Sequence, residues 1–121
     1  LEDNLKMASA FKNAGMTIVT SDNASANFYT CPSSTVAVIH ALYISNKSST
    51  NIANVDVKVT TDGGTTFYHI GKSLEIETNN TLVLDKPVNL EANDIVRIVA
   101  EVNVDSSLPE VEAFASILEI S

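Results

Sequence analysis

The chain has 121 residues, 45% of them apolar and 18% charged, with 15 acidic against 7 basic side chains and a net charge of −8. That length suits one domain whose core needs no disulfide or metal, and the apolar content excludes a disordered chain. The charge balance argues against nucleic acid and anionic membranes as partners, because the basic residues are scattered singly and no basic patch offsets the acids.

Aromatic residues are sparse and Trp is absent, so the core must be built from Val, Ile, Leu and Ala. The single cysteine, Cys31, has no internal partner and points to synthesis in a reducing compartment. No apolar run is long enough for a membrane-spanning helix. The acidic N-terminal stretch lacks the apolar centre of a signal peptide.

Residues 1–15 read apart from the rest. Leu1, Leu5, Ala8 and Phe11 fall near helical spacing, and Gly15 stands where a helix would stop. This predicts an N-terminal arm or short helix, too short to be stable alone, which must pack on its own domain or on a neighbour. From Met16 the pattern changes to strand and turn. Residues 16–20 (MTIVT) and 27–31 (NFYTC) are the first two strands, and Pro32 breaks the chain. Residues 35–45 (TVAVIHALYIS) are apolar on both alternating sets, which predicts a strand buried on both faces. Residues 54–60 alternate cleanly, with Val55, Val57 and Val59 inward and Asp56 and Lys58 outward. Asp62-Gly63-Gly64 is a hairpin turn, and residues 65–70 return as the partner strand.

Residues 73–77, 81–84, 94–102 and 113–120 complete the set, with Pro87 ending one strand and Pro109 preceding the last. Strands at this spacing predict an all-β fold. The expected architecture is a single antiparallel β-sandwich over 16–121, jelly-roll or Ig-like, preceded by the arm at 1–15.

No chemistry-bearing motif stands out. His40 and His69 lie outside any metal spacing, so a cross-strand pair is the remaining route to a metal site. Cys31 has no nucleophile signature around it and reads as a small core residue. The many carboxylates fall mostly on outward strand positions, where they solvate a face. Glu75 with Glu77, and Glu110 with Glu112, share faces but lack a calcium-loop pattern. The glycines of TTDGGTT (60–66) are followed by β-branched residues, not by a helix, which excludes a phosphate cradle. The expectation is a protein that is not an enzyme, with no cofactor and no bound metal.

Several stretches resemble small virion proteins of tailed phages, above all those of marine cyanobacteria. They are VAVIHALYISNKSSTNIANVDVKVT (36–60), TLVLDKPVNLEANDIVRI (81–98) and VEAFASILEIS (111–121), in the same order and with a T-x-P-S turn before them. The resemblance implies a capsid decoration or cement protein on the capsid exterior, made in the host cytoplasm. It implies the major capsid protein or other virion proteins as partners, and a homo-oligomer, a trimer by analogy. On this reading Leu1, Leu5 and Phe11 of the arm are the interface residues. The alternative is a tail or fibre component, or a carbohydrate-binding, receptor-recognising sandwich that uses Tyr29, Tyr43 and Tyr68 as glycan contacts.

Overall fold

The structure is a computed structural model, and it describes residues 8–121. Nine strands run β1 (Ser9–Thr17), β2 (Asn27–Thr30), β3 (Val36–Asn46), β4 (Ala53–Thr60), β5 (Tyr68–Ile76), β6 (Thr81–Leu84), β7 (Val88–Leu90), β8 (Ile95–Ala100) and β9 (Val111–Ile120). One sheet, called A here, has the order β1-β9-β3-β6, with β7 also on β3; the other, sheet B, has the order β2-β8-β4-β5. All these pairings are antiparallel. The protein is thus the predicted all-β sandwich.

The strand order selects between the two expected subtypes. The first strand lies beside the last in one sheet, and β2, β8, β4 and β5 form the other, which is the jelly-roll arrangement. Strands β6 and β7 act as one edge strand. They pair with successive stretches of β3, at residues 42–45 and 37–39, and the break between them falls at Pro87, which cannot donate to the ladder.

Inward side chains close the core from both sheets. Ala37, Ile39, Leu42, Ile44, Val111, Ala113, Ala115 and Ile117 come from sheet A, and Val55, Val57, Val96, Ile98 and Ala100 from sheet B. Alanines alternate with larger residues, so the two layers interdigitate.

Three expectations are corrected. Ser9–Thr17 is a strand, not a helix or a separate arm, and Gly15 lies inside it. All nine residues pair with β9 without a register shift, from Ser9 with Ile120 to Thr17 with Glu112. A short isolated helix has little stability of its own, whereas the edge of β9 supplies a partner for every residue. Leu1 and Leu5 lie outside the described residues.

Strand β3 is not buried on both faces. It carries a bulge at His40, where Ile39 pairs with Ile117 but Ala41 pairs with Ser116. The extra residue shifts the inward phase from Ala37 and Ile39 to Leu42 and Ile44. Third, the two strands expected at 65–70 and 73–77 are one bent strand, β5. Two register shifts against β4 absorb the intervening residues, and Ser73 takes a positive φ of 51° while its N–H donates to Asp56 Oδ1 at 2.7 Å. The β4–β5 turn is held by Asp62. Its carboxylate accepts N–H groups from Thr66 (2.9 Å) and Thr65 (3.1 Å) and the Thr60 hydroxyl (2.8 Å), which pull its pKa down to about 2.

Candidate functional site

The two outer faces of the sandwich differ in chemistry. On sheet B, Asn27, Arg97, Lys58 and His69 line up across neighbouring strands. Lys58 is buried and bonds Asp22 at 2.5 Å, and Arg97 reaches the other oxygen of Asp22 at 3.2 Å. The two cations flank the Phe67 ring, at 4.9 and 4.4 Å from its centroid. The hydrogen bond from Lys58 holds the Asp22 carboxyl below its usual range, with Arg97 adding to it. Asp22 is shared by both cations, and the Phe67 ring lies against each of them.

The outer face of sheet A is apolar. Cross-strand register places Phe11, Leu118 and Val38 in one row, and Gly15, Phe114, Tyr43 and Val83 in another. Ser9, Ile120 and Val36 form a third row, and Asn13, Ser116 and Ala41 a fourth. Phe11 is 85% exposed, Phe114 48%, Val83 47%, Val36 45% and Tyr43 39%. These four rows carry no charged side chain; the next row, at one end of the face, holds Glu112 between Thr17 and Ser45, with Lys47 3.5 Å from its carboxylate. This nearly uncharged, aromatic-bearing face contrasts with the chain's net charge of −8.

The face is not flat. Tyr43 and Phe114 border an open groove of about 470 Å³ whose lining includes Gly15, Thr17, Ser45 and Glu112. Gly15 lies in its floor, where a Cβ would come into contact with the Phe114 ring at 3.4 Å. A second cleft, of about 430 Å³, opens between the edges of the two sheets. It is lined by Ile39, Leu42, Ile70, Leu84, Val88 and Val96, with Asp85 and Lys86 at its margin.

The three tyrosines singled out in the sequence do not converge. Tyr43 lies on the apolar face, beside Phe114. Tyr68 is exposed on β5 of the opposite sheet. Tyr29 points inward, and its hydroxyl donates to Glu119 Oε2 at 2.5 Å, tying sheet B to sheet A. Burial and then the Glu119 carboxylate push the tyrosine pKa up, so the phenol stays protonated as the donor. Tyr29 is therefore a strap between the two sheets. Tyr29→Phe leaves a half-buried carboxylate without this donor and is expected to cost about 1–2 kcal/mol, read as a lower denaturation midpoint with an unchanged m value.

The two histidines lie in different sheets, His40 at the β3 bulge and His69 opposite Lys58, both exposed. Among the described residues no group of three or more His, Cys, Asp or Glu side chains is placed to hold a metal. Cys31 is fully buried, its thiol donates to the Thr35 carbonyl at 3.4 Å, and burial pushes its pKa up, so little thiolate forms at neutral pH. Among the described residues no helix is long and apolar enough to cross a membrane. No family model matches the chain, and no curated protein is significantly similar to it.

Sequence reasoning missed Phe114, Leu118, Val38 and Val83 as members of one face. The signal was present in β9, where Phe114, Leu118 and Ile120 occupy the positions between the inward Ala113, Ala115 and Ile117. Apolar residues on both sets of a strand mean either two buried faces or one buried and one sticky face, and only the neighbours decide which.

Proposed function

We propose that this chain is a non-enzymatic structural subunit of a tailed-phage particle, of the capsid decoration or cement kind, that seats the outer face of sheet A on other particle proteins. The observation that carries the reading is the contrast between that uncharged face and the acidic remainder of the chain. The acids keep the free subunit soluble and apart from nucleic acid, while the apolar face supplies the contact. In plan the face spans four strands about 4.8 Å apart and some nine residues of about 3.3 Å each, roughly 600 Å². Side-chain relief brings this near the roughly 800 Å² per partner of a standard interface. The resemblance of residues 36–60, 81–98 and 111–121 to small virion proteins supports the same reading.

The test is co-sedimentation of the purified chain with phage heads that lack it. Phe114→Glu places a charge at the centre of the face and is expected to weaken binding about a hundredfold, or roughly 3 kcal/mol, without a change in fold. Tyr68→Glu, on the other sheet, is the control and should bind as the parent chain does. Equal binding by both variants would remove the basis of the proposal.

A second reading rests on the groove. Two adjacent aromatic rings, Tyr43 and Phe114, with the hydroxyls of Thr17 and Ser45 and the Glu112 carboxylate nearby, have the make-up of a sugar platform. A glycan-array signal that disappears in Tyr43→Ala would favour it over particle docking.

A further inference from the structure

Sheet edges expose unpaired N–H and C=O groups, and most edges in this sandwich are guarded. Strand β2 has four residues and a register shift, β5 has two shifts, and the β6–β7 edge is broken at Asp85-Lys86-Pro87. Strand β1 differs. It is nine residues long, it contains no proline, its register against β9 is uninterrupted, and its only charge is Lys12. We infer that β1 pairs antiparallel with β1 of a second copy of this chain, about a two-fold axis at Asn13, joining two A sheets into one continuous sheet.

Backbone phase supports this. Ala8 and Ser121 exchange both hydrogen bonds at 2.8 Å, and the Ile18 N–H donates to the Val111 carbonyl at 2.8 Å. Even-numbered residues therefore bond β9, and Ser9, Phe11, Asn13, Gly15 and Thr17 point their N–H and C=O groups away from it. The two-fold at Asn13 matches these outward groups with each other: Asn13 with Asn13, Phe11 with Gly15 and Ser9 with Thr17.

Side chains favour the same register. Phe11, 85% exposed, sits across from Gly15 of the second copy, over the space that Gly15 leaves beside Phe114. Lys12 faces Ala14 of the second copy. Moving the axis to Lys12 sets like charges opposite each other, and moving it to Ala14 leaves Ser9 and Ala10 without partners in the strand. Pairing of identical antiparallel edges closes as a two-fold dimer, so a trimer does not form through this edge. The two apolar outer faces would then form one face of double width. The pairing goes beyond the particle reading and does not depend on it.

Sedimentation velocity and light scattering should give twice the chain mass. Asn13→Pro removes an outward N–H without touching the β1–β9 ladder, and is expected to weaken dimerisation about a hundredfold with the thermal midpoint of the monomer unchanged. If the proline variant fails to fold, Phe11→Lys serves, because that side chain is already in solvent and the charge would lie across from the Phe114 region of the second copy. A monomeric parent chain at millimolar concentration, or variants that dimerise as well as the parent, would overturn the pairing. So would a dimer abolished by Phe114→Glu and untouched by either β1 variant. Particle binding by a chain that never dimerises would count against this inference alone, and a dimer that ignores phage heads would count against the function alone.

Discussion

Replacing Asn46 by Asp should destabilise the protein by about 3–5 kcal/mol, a large share of the stability of a domain this size. Asn46 is almost fully buried at the end of β3. Its side-chain nitrogen donates to the carbonyls of Asn51 (2.8 Å), Ile76 (3.1 Å) and Glu77 (3.4 Å), and its oxygen accepts the Ser48 N–H at 3.1 Å. One amide thus ties sheet A to the end of β5 in sheet B and to the loop that follows β3. Aspartate has the same shape but no donor. It would turn a negative oxygen toward three carbonyl oxygens in a place water does not reach, and the site would have to open or take up a proton. Urea denaturation above pH 6 should show the full loss. Part of it should return at acid pH, where a protonated carboxyl can donate again. A midpoint within experimental error of the parent chain would mean that the amide network is not a structural pin.

Ile44→Ala is expected to cost about 3–4 kcal/mol, read as a fall in the denaturation midpoint. Ile44 is fully buried on β3 and pairs with Ala113 of β9 on one side and Leu82 of β6 on the other. The surrounding core is rich in alanine, with Ala37, Ala113 and Ala115 in the same sheet and Ala100 opposite. Small neighbours on pleated strands cannot extend into the space an isoleucine leaves, so most of the cavity persists. Ile44→Val removes one methyl and should cost about 1 kcal/mol. If alanine cost no more than valine, the core would be relaxing around the site and the interdigitated packing described above would be wrong.

These two positions also separate what could be read in the sequence from what could not. Ile44 was legible as core because residues 35–45 are apolar on both alternating sets, which marks a core strand whatever its phase. Asn46 falls just outside the strand expected at 35–45. Its burial arises from the distant strand β5 and the loop at 48–51, and nothing local announces it. Strand β7 is a similar case. Three residues after Pro87 carry no strand signal of their own and become a strand only because β3 extends past β6. The bulge at His40 hid the phase of β3, since a single extra residue exchanges inward and outward positions without a mark in the composition.

By itself the sequence determined the all-β class, the aliphatic core, the acidic charge balance and most of the strand positions. Those properties follow from composition and from the two-residue repeat of a pleated chain, which are local. Tertiary structure alone decided that residues 9–15 are a strand, that the sheets close as a jelly roll and that Phe11, Phe114, Tyr43 and Leu118 share one outer face. Each of these depends on pairings between strands far apart in the chain, such as β1 with β9 and β2 with β8. Hydrogen-bond ladders satisfy backbone groups wherever an edge is available, whatever the helical or strand preference of the segment that meets it.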